Sequence, residues 1–315
     1  RFGEDEDLKS LVNLCHKNRI KIILDFVPNH CSRFHPHFLD AQKNPESQYR
    51  NWFIFLKWPK TYLSFLDVAD IPKLNLENQK CRNYILESAK YWLAEFDIDG
   101  YRIDHAIGPP FDFWQDFIKV VAEVKNDAIL LPEIWFRGVN LLHTPTLWYL
   151  RENKKWRLNR IISSFLSSQN QKQDYCYKLF SNFFDIFLDF TFLELIQKHF
   201  FEPETLKRLV SNHFSKLEKP NSYLFLDNHD TSRFIYLCQN DEKEFTENLK
   251  LLFSFGKPTV FYYGTEIGMS HQNPERYRLG KDREARRFMN WNFGAKEEKI
   301  LKLTQSLIKN LRSQK

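Results

Sequence analysis

The sequence lacks the patterns that mark several large classes of protein. None of its 315 residues fall in an apolar run long enough to cross a membrane, and no signal-peptide pattern is visible. It contains no internal repeat, no low-complexity segment, and neither of the glycine-rich phosphate motifs GxGxxG and GxxxxGK(S/T). These absences argue against a membrane protein, a repeat architecture and a nucleotide-binding doubly wound sheet.

Cysteine and methionine are also scarce. The five cysteines have no CxxC or metal-ligand spacing: Cys15, Cys31, Cys81, Cys176 and Cys238. An odd number of scattered thiols is typical of a reducing compartment, so we expect a cytoplasmic protein. Residue 1 is Arg and the only methionines are Met269 and Met289, so we expect that the natural start lies upstream of this sequence.

Charge gives no sign of a nucleic-acid partner. The net charge is +6, but 46 basic residues are interspersed with 40 acidic ones, which indicates a solvated basic surface. At 43% hydrophobic residues the chain can bury a large core. Most of its 30 phenylalanines and 8 tryptophans belong to that core, and some can offer stacking platforms to a flat ligand face. No feature of the sequence predicts an oligomeric state.

The rest of the chain is organised around the stretch Asp97–Asp104, which we interpret as a short strand that ends in a loop. Arg102 and Asp104 lie two residues apart, so they point to the same side of a strand. A guanidinium beside a carboxylate holds it ionised and oriented, which suits a nucleophile or an anchoring charge. These residues alone leave two interpretations open, a reactive site and a structural ion pair at a strand end.

Helical and strand patterns alternate along the chain. Helices are predicted over 4–17, 82–96, 111–125, 204–217, 241–255 and 297–312. Strands are predicted over 19–27, 97–104, 128–135, 183–190, 222–226 and 259–263. The alternation predicts a parallel α/β sheet. The irregular stretches 31–79 and 136–180 are too long for ordinary connections, and we interpret both as insertions.

Polar side chains cluster where the predicted strands end. They are Asp25 with His30, Arg102 with Asp104, Glu133, and His229 with Asp230. Catalytic groups at several strand ends are typical of a (β/α)8 barrel. Two such acids ~5 Å apart suit retaining glycoside hydrolysis, one as nucleophile and one as proton donor. Asp, Glu and His also bind metals, which is the competing chemical interpretation.

Six short motifs in order resemble those of the α-amylase family of glycoside hydrolases. They are DFVPNH at 25–30, IPKLN at 71–75, GYRID at 100–104, LPEIW at 131–135, FLDNHD at 225–230 and GKPTVFYYGTE at 256–266. Members of this family are retaining α-glucan enzymes built on a (β/α)8 TIM barrel. The IPKLN stretch makes the chain most similar to the neopullulanase and cyclomaltodextrinase branch.

The resemblance implies a role for each matched residue. Asp104 would be the nucleophile, Glu133 the general acid/base, and Asp230 would stabilise the distorted sugar through its hydroxyls. Arg102 would hold Asp104 ionised.

Four further positions would support these groups. His30 and His229 would hydrogen-bond the sugar beside the scissile bond. Asp25 and Asn29 would brace the site rather than touch the substrate.

The resemblance also implies differences from complete members of the family. The first two barrel strands and the C-terminal β-domain have no counterpart, so 1–315 is expected to be a partial catalytic barrel with 31–79 inserted after the third strand. Ile107-Gly108 stands where many amylases have Lys-His, which predicts a wider, less charged product side of the cleft. The same change puts a calcium site in doubt; calcium is the one candidate cofactor, and no metal ligand is predicted.

The implied function is retaining hydrolysis of α-glucosidic bonds in starch-like polymers or maltooligosaccharides. One alternative is an α-glucan transglycosylase of the same family. The other is a non-catalytic barrel relative that acts as a binding module; such relatives usually lose a carboxylate, and here all three remain.

Overall fold

The computed structural model describes residues 3–135, 169–217, 222–272 and 283–313. The chain divides into two compact units, which we call unit 1, Arg1–Asp185, and unit 2, Ile186–Lys315. The predicted insertion over 136–180 lies outside the described residues up to residue 168. Each unit is described by itself below.

Unit 1 alternates helices and strands as predicted. Its elements are α1 (Asp5–Lys17), β1 (Leu24–Phe26), α2 (Pro36–Lys43), β2 (Phe55–Lys57), β3 (Thr61–Tyr62), α3 (Gln79–Phe96), β4 (Gly100–Ile103), α4 (Phe111–Val124), β5 (Ile129–Pro132) and α5 (Gln169–Phe180). Strands β1, β4 and β5 form a parallel sheet with β4 in the centre. The register sets Asp25 opposite Arg102, and Arg102 opposite Leu131, so the ends of the three strands are level.

Strand β4 is buried on both faces, and this explains its composition. Tyr101 and Ile103 are almost completely buried, and α3 and α4 pack against each other beside the sheet. Gly100 opens the strand at φ +142°, where a Cβ would lie 2.0 Å from the carbonyl oxygen of Ile129. Glycine at this position therefore lets β5 approach closely enough to pair.

The segment between β1 and α3 folds back onto the end of β1. It contains α2, the antiparallel hairpin β2–β3 and two 3₁₀ turns. Its last part, the IPKLN stretch, runs beside the residues that follow β1: the Cys31 amide donates to Pro72 O at 3.1 Å, and the Leu74 amide donates to Asn29 O at 2.9 Å. This return carries Lys73 to the polar end of the sheet.

Unit 2 holds the remaining strands and its own core. Its elements are β6 (Phe187–Leu188), α6 (Phe190–His199), α7 (Pro203–Phe214), β7 (Ser222–Tyr223), α8 (Phe234–Leu237), α9 (Glu242–Ser254) and α10 (Ala295–Ser313). Strands β6 and β7 pair in parallel, and Leu224 forms a parallel bridge to Thr259. Phe192, Ile196, Leu224, Phe234 and Phe245 are among the fully buried side chains of this core.

The three strand predictions that reach into unit 2 were too long, and the predicted strand 222–226 is reduced to Ser222–Tyr223. The predicted strand 183–190 is reduced to Phe187–Leu188, because Asp189 caps α6 by accepting a hydrogen bond from the Phe192 amide at 2.9 Å. In the predicted strand 259–263, Thr259 is in a single bridge and no described residue belongs to a strand. Helices α2, α5, α6 and α8 were not predicted, and the other helices lie within a few residues of their predicted bounds.

Candidate active site

Arg102 connects three carboxylates at the end of the unit 1 sheet. Its Nη1 contacts Asp104 Oδ1 at 2.9 Å and Asp25 Oδ1 at 3.1 Å, and its Nη2 contacts Glu133 Oε1 at 2.8 Å. The strand register explains this meeting, because Asp25 lies directly opposite Arg102 and Glu133 follows the end of β5. The planar guanidinium can bind two carboxylates on adjacent nitrogens, so it holds Asp104 and Glu133 side by side.

The three carboxylates differ in exposure. The Asp25 side chain is 63% exposed, whereas that of Asp104 is 21% and that of Glu133 only 10% exposed. Asp25 therefore lies at the rim, as a support for Arg102. Glu133 is also held from the other side, because the His105 amide donates to its Oε2 at 3.0 Å.

His30 lies on the other side of Asp104. Its Nε2 is 3.6 Å from Asp104 Oδ2, and its Nδ1 is 3.1 Å from Asn29 Nδ2. The Phe65 ring stacks on the imidazole with centroids 4.5 Å apart. Burial lowers the pKa of His30 to about 4, with Asp104 opposing the shift and Lys73 adding to it. At neutral pH this histidine is therefore uncharged and serves as a hydrogen-bonding group.

Unit 2 contains the remaining predicted site residues. His229 Nε2 lies 3.1 Å from Asp230 Oδ2, and Arg286 Nη2 contacts Asp230 Oδ1 at 2.6 Å. Asn228 orients the turn, because its Oδ1 accepts a hydrogen bond from the Asp230 amide at 3.0 Å. Six of the eight predicted site residues thus meet in unit 1, and the other two adjoin each other in unit 2.

Comparison with known proteins identifies the family behind this arrangement. The chain matches the family described as "Alpha amylase, catalytic domain" over residues 1–313. The chain belongs to the α-amylase family. The family resemblance drawn from the motifs is confirmed, and with it the (β/α)8 barrel as the fold of this catalytic domain.

Maltogenic amylases, cyclomaltodextrinases and α-amylases are among the similar proteins. The chain is 30% identical to a maltogenic alpha-amylase of Bacillus acidopullulyticus, covering 100% of this chain and 48% of that protein. It is 31% identical to an intracellular maltogenic amylase of Bacillus subtilis (strain 168), covering 98% and 46%. A solved cyclomaltodextrinase structure superposes with a TM-score of 0.76 at 25% identity, covering 99% of this chain and 48% of that one. The chain thus spans about half the length of these relatives.

Lys73 lies beside the site. It belongs to the IPKLN stretch, which made this α-amylase family member most similar to the neopullulanase and cyclomaltodextrinase branch. It is 4% exposed, and its Nζ donates to Asn29 Oδ1 and, at 3.3 Å, to Gly108 O. The Lys73 amine already contacts both oxygens, so calcium does not fit at this point after the nucleophile. Among the described residues, no group of three or more His, Cys, Asp or Glu side chains is placed to hold a metal ion.

The expectation of a wider cleft at Ile107-Gly108 is wrong as far as it rests on these two residues. Ile107 is 4% exposed, and a Cβ on Gly108 would lie 2.1 Å from Asn29 Oδ1. The Asn29 amide fills the space that a larger side chain would need at 108. Glycine at this position therefore does not widen an open cleft.

Sequence reasoning missed three neighbours of the site. His105, Phe65 and Arg286 lie outside the motif positions to which a role was assigned, although His105 directly follows the nucleophile motif. His105 contacts the site through its backbone amide and Phe65 through a ring stack. Arg286 contacts Asp230, which lies 56 residues away in the sequence. Only the position of His105, next to Asp104, carried a signal in the sequence.

The described part of the chain contains no helix of the length and apolarity that a bilayer crossing requires.

Proposed function

We propose that this protein hydrolyses α-glucosidic bonds in starch-like polymers and maltooligosaccharides with retention of anomeric configuration. The observation that carries the proposal is the shared guanidinium of Arg102, which holds Asp104 and Glu133 side by side at the sheet end. One acid must attack the anomeric carbon while the other protonates the oxygen that leaves it. The two acids therefore need this proximity, and a retaining pair works at ~5 Å separation.

Each residue has a role in the double displacement. Asp104 attacks the anomeric carbon and forms the glycosyl ester, while Glu133 protonates the leaving oxygen and then removes a proton from the incoming water. Asp230 binds sugar hydroxyls in the distorted ring. Arg102 orients both acids of unit 1.

The supporting residues act through hydrogen bonds. His30 and His229 hydrogen-bond the sugar beside the scissile bond, and the neutral state of His30 suits contact with an uncharged hydroxyl. Asp25 holds Arg102 from the rim, and Asn29 holds His30. We also propose that the segment 31–79 is a subdomain inserted in the barrel. That the first two barrel strands have no counterpart in this sequence stays a prediction.

The substrate class follows from the names of the relatives. A maltogenic amylase and a cyclomaltodextrinase are among the similar proteins, so we expect maltooligosaccharides and cyclodextrins to rival starch. The name of the Bacillus subtilis relative supports a cytoplasmic location.

Product analysis of the full-length protein tests the proposal. Starch, pullulan and cyclodextrin are each incubated with the wild type and with Asp104→Asn, and the anomeric configuration of the first product is read by proton NMR. We expect α-configured products from the wild type and a loss of roughly 10⁴-fold in Asp104→Asn, since an amide cannot form the glycosyl ester.

Three outcomes would contradict parts of the proposal. β-Configured products would contradict retention. Products longer than the substrate, with little free sugar, would indicate the transglycosylase alternative. Tight glucan binding without any product would indicate the binding-module alternative.

A further inference from the structure

Lys73 is a buried amine whose contacts call for an explanation, because burial lowers its pKa to about 7 and so disfavours its charged form. Its Nζ donates to Asn29 Oδ1 and Gly108 O, and among the described residues no carboxylate forms an ion pair with it. Burying a charge without an ionic partner costs free energy, even when hydrogen bonds satisfy it. An apolar side chain would fill this space at lower cost, so the contacts of the ammonium indicate what it does.

The backbone fixes Lys73 in place before its side chain acts. Its amide donates to Leu63 O at 3.0 Å, and the residues on either side of it pair with the stretch after β1. The ammonium is thus presented from a rigid position to two separate segments, the end of β1 and the loop after the nucleophile.

The first of these contacts determines the proton position on His30. Lys73 Nζ donates to the side-chain oxygen of Asn29, so the amide nitrogen of Asn29 faces His30 Nδ1 at 3.1 Å. That amide nitrogen only donates, so Nδ1 of the neutral imidazole accepts and the ring proton is on Nε2. Nε2 is the atom that lies 3.6 Å from Asp104 Oδ2.

The second contact fixes the loop that holds Glu133. The Gly108 carbonyl receives the ammonium, and the Gly108 amide donates to His105 O at 3.0 Å. His105 has φ +43°, an unfavourable conformation for a residue with a side chain, which persists only where its surroundings enforce it. The amide of this same residue donates to Glu133 Oε2.

We propose that Lys73 is a positioning residue for both catalytic carboxylates, an inference that rests on the proposed function. Through Asn29 it places the His30 proton on Nε2 toward Asp104, and through the Gly108 carbonyl it holds the His105 amide on Glu133. Lys73 contacts neither carboxylate and takes no part in the chemistry.

Asn29→Asp separates positioning from folding. The new carboxylate still accepts from Lys73, but it offers no N–H to His30, so the imidazole moves its proton to Nδ1 and loses the donor toward Asp104. We expect kcat on maltooligosaccharides to fall about 10- to 100-fold, with KM within about twofold of the wild type. The thermal midpoint should not fall, because the substitution adds an ionic partner to a buried cation.

Lys73→Met tests the second contact, with Lys60→Met as the matched control. Lys60 is an exposed lysine of the same segment. We expect Lys73→Met to lower kcat by a similar factor and to speed amide hydrogen exchange over residues 105–108, whereas Lys60→Met changes neither.

A measurement on the wild type makes the inference independent of any variant. Nitrogen-15 NMR of His30 at neutral pH should show the proton on Nε2, and a proton on Nδ1 would overturn the inference. It is also overturned if the wild type is active and Asn29→Asp keeps kcat within about twofold of it. A wild type inactive on every α-glucan would instead overturn the proposed function, and the NMR result would still decide the proton position.

Discussion

In unit 1 the two proposed catalytic carboxylates share a guanidinium that is only 14% exposed, whereas in unit 2 Asp230 pairs with an Arg286 side chain that is 51% exposed. The unit 1 network also extends inward, through the His105 amide and through His30 to the buried Lys73.

This difference has a physical consequence. Charged groups in a shielded network interact strongly and hold one geometry, while an exposed ion pair contributes little because water screens it. Unit 1 therefore presents its acids already oriented. Asp230 is positioned by its local turn and by groups that solvent can replace.

The contrast between the two units fails most clearly if the unit 1 carboxylates do not catalyse the reaction. Glu133→Gln keeps an oxygen for the His105 amide but cannot supply a proton, so we expect starch hydrolysis to fall about 10²- to 10⁴-fold. Hydrolysis of α-maltosyl fluoride should fall far less, because fluoride leaves without protonation. Steady-state rates on both substrates decide.

The matched control for this prediction is Glu123→Gln on the exposed face of α4, which should change neither rate. Equal losses on starch and on the fluoride in Glu133→Gln would contradict the acid/base role.

The two arginines sharpen the comparison directly. Arg102→Ala leaves Asp104 and Glu133 without their shared cation, and we expect it to lower the free energy of unfolding by about 3 kcal/mol. Arg286→Ala removes an exposed partner and should cost no more than about 1 kcal/mol. Urea unfolding of both variants measures the difference. Similar losses in the two variants would show that the two networks are equally shielded.

A further test of the comparison concerns acid. Burial lowers the pKa of His30 to about 4, and it lowers that of His105 well below the ordinary value of 6.5. The unfolded chain then binds more protons than the folded one as the pH falls below 6.5, so stability is lost toward pH 4. We expect the urea midpoint to fall over this interval and unit 1 to lose amide protection before unit 2.

His105→Gln removes one of the unit 1 rings whose pKa burial lowers, and it should make that decline shallower. An unchanged decline in this variant, or earlier loss of protection in unit 2, would rule out buried histidines of unit 1 as the source.

Local patterns predicted most helices and the polar ends of the strands. Periodic apolar residues and acidic first turns located α1, α4 and α9, since these signals lie within the segment itself. The run from Phe183 to Phe190 failed as a predictor, because a uniformly apolar stretch suits a strand and a buried helix alike. Asp189 ends the strand because it caps the N-terminus of α6. The spacing of apolar residues gives no information about such a cap.

The site was predictable in its residues and less so in its contacts. Asp104, Glu133 and Arg102 could be selected because their motifs keep their order along the chain. The role proposed for Lys73 depends on Asn29 and Gly108, which are 44 and 35 residues away, and on a chain return that no local pattern specifies. Arg286 shows the same limit in unit 2.

Gly108 carries a consequence for how this sequence can vary. A Cβ at this position would lie 2.1 Å from Asn29 Oδ1 and 2.6 Å from His105 Cδ2. The effect of a substitution at 108 therefore depends on the residues at 29 and 105, so mutational epistasis should tie the three positions. A deep mutational scan should find Gly108 intolerant of every side chain in the present background, and permissive only where Asn29 and His105 have both been replaced by smaller residues.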